Sequence, residues 1–367
     1  MRFMTQESER QDGLRRWRSR YLTGALALLA LAANLLLAAP SWAAAVIFNT
    51  GDVNTATLAL GVNDEGSLNV ADPFGVFSPT PNVVVTGLTH IGVGDAISPG
   101  CLCEGWGVSG THVGSGVAHT GFANEHFGGA TGLTVGSFVT DAASGTGSTA
   151  VSVTSLSSLP SLTIEQAYAP SSIVPSALFE NRVTITNTTG SAIDDLRYVR
   201  VLDWDVPPTV FSETVSILGV ETTTALEHSH NNGFVTPNPL DPIAPTDALT
   251  PATLDVSFTD LNTIDHGAYF QFNFGTLADG ETREFSVFYG AALGEAAADA
   301  AVAAEGLELY SYGQHHADPL GGTPATFIFG FKDVGGSPPN PVPEPSTYVM
   351  AALGLIGLTS YRLRRRR

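Results

Sequence analysis

Leu178-Phe179-Glu180-Asn181-Arg182-Val183-Thr184-Ile185-Thr186 decides how the rest of the chain is read. Phe179, Val183 and Ile185 fall on one parity and Glu180, Arg182, Thr184 and Thr186 on the other, the period-two pattern of a half-buried strand. Asn187-Thr188-Thr189-Gly190-Ser191 reads as a turn, and Leu196–Trp204 resumes the alternation as the expected hairpin partner. Towards the N-terminus, short Val/Thr/Leu-rich runs recur at Thr57–Val62, Val83–Leu88, Gly132–Thr140 and Thr149–Leu156. Towards the C-terminus, Tyr269–Phe274 and Glu284–Tyr289 flank a turn at Asp279-Gly280, and Thr326–Phe331 forms a last aromatic strand. Glu295–Glu305, alanine-rich and set between Gly294 and Gly306, predicts a short helix. Pro237–Pro251 predicts a surface loop. The pattern predicts an all-β fold, an antiparallel β-sandwich, built as one large two-sheet sandwich or as two β-lobes. A composition change over Asp141–Leu159 would separate a Gly-rich β region, 46–160, from a main sandwich region, 161–334.

Both ends carry addresses. Arg10, Arg15, Arg16, Arg18 and Arg20 precede the apolar Tyr21–Leu37, and Pro40 and Ala43–Ala45 follow. This is the layout of a signal helix and cleavage site, giving a signal peptide over 1–45 to be cut by signal peptidase; an uncleaved anchor is the alternative. At the other end, Val342-Pro343-Glu344-Pro345 precedes Thr347–Leu363, an apolar run with no charge before Arg362. As a transmembrane helix that run would span ~26 Å of a hydrocarbon core about 30 Å thick. Arg362, Arg364, Arg365, Arg366 and Arg367 would hold this end on the cytoplasmic side. Gly335–Pro341 reads as a stalk between body and membrane.

The three-part tail, 342–367, resembles the PEP-CTERM sorting signal of exported proteins in Gram-negative bacteria that make extracellular polysaccharide. The resemblance implies recognition by exosortase, a membrane-embedded cysteine peptidase that cuts near Pro343-Glu344-Pro345 and releases or transfers the protein. It also implies a link to exopolysaccharide and biofilm. An ordinary C-terminal anchor is the plain alternative. Ile185-Thr186-Asn187-Thr188-Thr189-Gly190, leading into an aromatic-rich strand, is loosely similar to sandwich modules of bacterial surface proteins, a likeness that carries no functional residue.

Between the ends, residues 46–341 hold 5 basic and 31 acidic residues, a formal charge of −26 against −19 for the whole chain. Such a field repels nucleic acid and favours solubility and association with divalent cations. Cys101 and Cys103, two positions apart, leave three readings open: a local disulfide, free buried thiols, or metal or redox chemistry. Asp203 and Asp205 would share one face of a strand and start a calcium site, the plain alternative being a solvated strand end. His228, His230, His266, His315 and His316 match no metalloenzyme spacing, and no Gly-x-Ser-x-Gly elbow sits between a strand and a helix. Glu104, Glu165, Glu180 and Glu227 are carboxylates that a glycosidase would use in pairs. Trp106, Trp204, Tyr198, Tyr269 and Phe270 would line either a sugar-binding face or the core. The expectation is an exported, non-enzymatic protein of the cell surface or matrix. A polysaccharide-binding or polysaccharide-active envelope protein is the alternative.

Overall fold

A computed structural model of the chain describes residues 44–71, 85–244, 246–318 and 321–338. Most of the expected signal peptide and all of 342–367 lie outside the described residues, so both expected membrane helices do too. Among the described residues every strand pairing is antiparallel. A four-stranded sheet comprises β1 (Ala44–Phe48), β2 (Leu58–Asn63), β5 (Leu88–His90) and β6 (Gly94–Asp95), and β3 (Val70–Ala71) pairs with β4 (Val85–Thr86). A six-stranded sheet runs β16 (Leu226–His230), β18 (His266–Asn273), β14 (Ile193–Trp204), β7 (Gly105–His112), β8 (Val117–Asn124) and β9 (Gly129–Thr131) in spatial order. The largest sheet begins β10 (Leu133–Thr140), β11 (Ala150–Leu156), β12 (Leu159–Pro170), β13 (Leu178–Asn187) and β19 (Thr282–Ala292). It continues through β21 (Thr326–Lys332), β20 (Leu309–His315), β15 (Glu213–Leu218) and β17 (Phe258–Ile264).

The two larger sheets face each other because each strand offers an apolar parity to the gap between them. In β13, Phe179, Val183 and Ile185 are buried while Arg182 is exposed. From β14, Leu196, Tyr198, Leu202 and Trp204 enter the same core cluster. Rings meet across the gap: Tyr198 with Phe285 at 4.9 Å, Phe272 with Phe331 at 4.9 Å, and Phe270 with Phe329 at 5.5 Å. Each fully buried Phe stabilises the fold by about 1.5–3 kcal/mol. Ile47, Leu58, Leu60 and Leu88 of the four-stranded sheet join this core. The aromatics Trp106, Trp204, Tyr198, Tyr269 and Phe270 are all buried, so they form core and not a sugar-binding face.

The expected hairpin between Leu178–Thr186 and Leu196–Trp204 does not form. β13 pairs with β12 and β19, whereas β14 pairs with β7 and β18, so the turn at 187–192 carries the chain from one sheet to the other. Both strands have an inward apolar parity, and the crossing lets the two parities face each other across the core. Asn187 holds the crossing by donating Nδ2 to the carbonyls of Ser191 and Leu277, both at 2.9 Å. The link from β18 to β19 crosses back, and Ile193 and Leu277 exchange backbone hydrogen bonds where the two crossings meet.

Strands on either side of residue 160 share both large sheets: β11 pairs with β12, and β7 with β14. The described residues from Ala44 onward form one compact unit, so the two-lobe arrangement is not adopted. Helix α1 (Glu295–Glu305) occupies the expected residues and ends on Gly306, whose φ of 77° lets its N–H reach the Val302 carbonyl. Ala298, Ala301 and Val302 pack on Leu178, Phe288 and Ile328, covering part of the outer face of the largest sheet. Gly335 and Gly336, expected to begin a free stalk, are bound to the body. Thr224 N–H donates to the Gly335 carbonyl at 3.1 Å, and Gly336 N–H to Glu308 Oε2 at 2.8 Å.

Candidate functional site

Where β14 leaves its sheet, alternation sends Trp204 one way and Asp203 and Asp205 the other. Trp204 turns into the core, donates Nε1–H to Ser311 Oγ at 3.1 Å, and lies so close to Gly313 that a Cβ there would stand 2.6 Å from its Cδ2. The aspartates turn outward into a space closed by backbone. Asp205 N–H donates to the Ala96 carbonyl at 2.7 Å, and Gly233 and Gly267 press against the Asp203 Cα. Asp265, immediately before β18, completes a trio whose carboxylate oxygens lie within 4.8 Å of one another. Asp203 and Asp205 are 1% and 0% exposed, and Asp265 is partly exposed.

Among the described residues, no donor reaches either oxygen of Asp205, Oδ1 of Asp203, or Oδ1 of Asp265. Cys101 Sγ stands 3.4 Å from Asp203 Oδ2, but Cys101 and Cys103 are joined as a disulfide, so this sulfur has no proton to give. Their Cα atoms are 5.2 Å apart, and the bond pins the Gly100–Cys103 loop beside the aspartates. His126 comes close enough to both sulfurs to share an ion with them, a role the sulfur–sulfur bond removes. Glu213, fully buried at the start of β15, is held by backbone: Oε1 accepts from His266 N–H at 2.9 Å and Oε2 from Ser212 N–H at 3.0 Å.

Burial sets the electrostatics. It pushes the Asp203 carboxyl up to about 8 with help from Asp265, and Asp205 up to about 10 with help from Asp203 and Glu213. Glu213 rises to about 9 despite the His266 donor, and Asp265 rises as well. His266, which could have balanced this charge, is itself driven down to about 4 by burial and is neutral. Such a cluster has two ways to exist at neutral pH: it keeps protons, or it holds a cation. Sequence reasoning named Asp203 and Asp205 and missed Asp265, about sixty residues further on, and Glu213, which is nearer in sequence but carries no local signature.

A second polar cluster lies inside the sandwich. Arg200 and Glu104 are both fully buried, with Nε 2.6 Å from Oε1. Arg200 also donates to Gln166 Oε1 at 2.6 Å and Tyr168 Oη at 3.1 Å, while Glu104 accepts from Tyr289 Oη at 2.8 Å and Leu68 N–H at 2.7 Å. Burial opposes the Arg200 charge, yet Glu104 and the surrounding tyrosines hold its pKa well above the usual value. Burial also raises Tyr168, Tyr198 and Tyr289. Nearby, Glu65 is pushed to about 9 by burial, with Asp64 and Glu125 adding to the rise.

The other carboxylates considered for glycoside chemistry are scattered. Glu104 is sealed in the core, Glu165 is exposed on β12, and Glu180 accepts from Ser286 Oγ at 2.7 Å. Glu227 is gripped by Arg197 through two hydrogen bonds, 2.7 and 3.1 Å, and by Gln271 at 2.9 Å. Burial opposes its charge, but Arg197 and Gln271 hold it below the ordinary value, leaving it without a proton to donate as an acid. Arg197, Glu227, His228, Asp241 and Gln271 line an open cleft of about 230 Å³ under the Pro-rich loop. His230 is stacked on Tyr269 at 4.4 Å, and His315 Nδ1 meets Thr209 Oγ1 at 2.9 Å, so the histidines serve separate local contacts.

Fold and sites define a large, acidic β-sandwich with buried polar clusters and sparse exposed chemistry. Residues 341–367 match the PEP-CTERM protein-sorting motif. That match implies an exported protein, transiently anchored in a membrane and processed by exosortase, here with a β-rich body. No curated protein matches the chain.

Proposed function

We propose that this chain is a non-enzymatic protein of the cell surface or extracellular matrix, released at its tail by exosortase and working beside exopolysaccharide. The observation that carries the reading is the sorting motif at 341–367 on a body with a charge of −26. The carboxylates of the body support it: Glu104 is sealed, Glu180 and Glu227 are engaged, and Glu165 stands on an exposed strand face. Signal peptidase removes the N-terminal segment, and the apolar run 347–363 holds the chain in the membrane until it is cut. Replacing Pro343, Glu344 and Pro345 by alanine leaves the protein in the membrane fraction; undiminished release of that variant contradicts the reading.

The cleft over Arg197, Glu227 and Gln271 favours glycan binding as a second reading, because it offers fixed donors and acceptors without a free acid. A glycan array and a hydrolysis screen on the exported protein separate these functions. Binding that Arg197→Ala removes, without turnover, identifies a lectin. Turnover abolished by one carboxylate substitution identifies an enzyme.

A further inference from the structure

We propose that Asp203, Asp205 and Asp265 bind one calcium ion at the end of β14. The inference is independent of the sorting signal and rests on three observations. The first is convergence: carboxylate oxygens from the end of β14 and from the residue before β18 lie within 4.8 Å of one another. Oxygens around one calcium, each 2.3–2.6 Å from the metal, lie no more than about 5 Å apart.

The second observation is the state of Asp205. Its side chain is fully buried and aimed into the trio, and among the described residues neither oxygen has a donor. The buried carboxylates Glu104 and Asp95 are met by donors, Glu104 by Arg200, Tyr289 and Leu68, and Asp95 by the backbone of Gly87, Ile97 and Ser98. Glu65 is buried without a donor as Asp205 is, but among the described residues it belongs to no such convergence of carboxylates. An ionised carboxylate sealed without a donor or cation is too costly to persist.

The third is the lack of a protein cation to serve. Of the five basic residues of the body, Arg182, Arg197, Arg200 and Lys332 are paired with Glu180, Glu227, Glu104 and Glu305. Arg283 lies over the Phe274 ring at 4.2 Å. The donor set is hard oxygen only, which selects calcium over zinc or copper. Glu213 is a positioning residue: by accepting from His266 N–H it fixes the backbone next to Asp265. Gly100, at φ +84°, passes close enough to Asp205 that a Cβ would stand 3.4 Å from Oδ1, so the loop that the disulfide pins forms one wall. The ion therefore joins two separate parts of the chain, the end of β14 and the turn before β18, with the 96–103 loop as the wall beside them.

The test is calorimetric titration of the full chain, purified in detergent and stripped with EDTA, with calcium, magnesium and zinc chlorides in separate runs, alongside thermal melts. The expected result is one calcium per chain and a melting temperature that rises with calcium, with magnesium and zinc at least 10-fold weaker. Asp205→Asn is expected to weaken calcium at least 10-fold while leaving the EDTA-stripped protein no less stable than the parent, since it removes a charge but keeps the shape. Should that variant fail to fold, Asp265→Asn, on the partly exposed side, replaces it with the same expected loss. A folded parent that binds no calcium, a preference for magnesium or zinc, or variants that bind calcium as tightly as the parent each overturn the proposal.

Discussion

Arg200 stands on the core-facing parity of β14 between Tyr198 and Leu202, a guanidinium where alternation calls for an apolar side chain. Its charge survives there because Glu104, Gln166 and Tyr168 surround it with acceptors in a dry interior. Removing one partner of a buried pair strands the other, so Arg200→Met is expected to cost about 3–5 kcal/mol. Adding Glu104→Gln removes the stranded charge and should recover part of that loss. Urea denaturation of the two variants measures the difference; equal midpoints for single and double variants would mean the pair is not coupled. None of this was legible from residue types, because Glu104 lies 96 positions from Arg200 and only the fold brings them together. The same holds for the acidic cluster: the Asp203-Trp204-Asp205 spacing announced two oxygens on one face, and the third came from a distant turn.

At the scale of elements, local signals predicted the strands better than their partners. The alanine run between Gly294 and Gly306 specifies helix α1 through propensity and a left-handed cap, both of which are local. The alternation of Leu178–Thr186 likewise specifies a strand with one buried parity. A hairpin and a sheet-to-sheet crossing leave the same parity, however, and choosing between them depends on Asn187 binding Leu277, some ninety residues away. β14 also buries both faces: Val199 and Val201 pack with Tyr269 on the outer side, which short-range alternation does not announce. The contact between β14 and β20 is tight enough to test. Gly313→Ala places a Cβ 2.6 Å from the Trp204 ring, which a packed core accommodates only by shifting, at a cost of about 1–3 kcal/mol. Because Trp204 sits between Asp203 and Asp205, the same variant should weaken the acidic cluster's grip on its ion. A thermal melt followed by tryptophan fluorescence reads the stability loss, and an unchanged melt would show that β20 has room to yield.

For the whole molecule, the division of charge was legible from composition, and its meaning became clearer once the side chains were placed. Eleven of the 16 basic residues lie in the two terminal segments, and the five in the body are engaged with carboxylates or an aromatic ring. The body is therefore an acidic sandwich with no basic patch among the described residues, suited to an environment that supplies cations and unsuited to nucleic acid. β1 starts at Ala44, so the expected cleavage region, Ala43–Ala45, coincides with the first residues of the fold. At the other end the body holds the chain as far as Gly336, close to the sorting motif that begins at 341. Mass spectrometry of both terminal peptides of the protein recovered from the cell surface tests the account most directly. The predicted protein begins within Ala43–Val46 and ends before Tyr348. Surface protein that still carries Tyr348–Arg367 would contradict it.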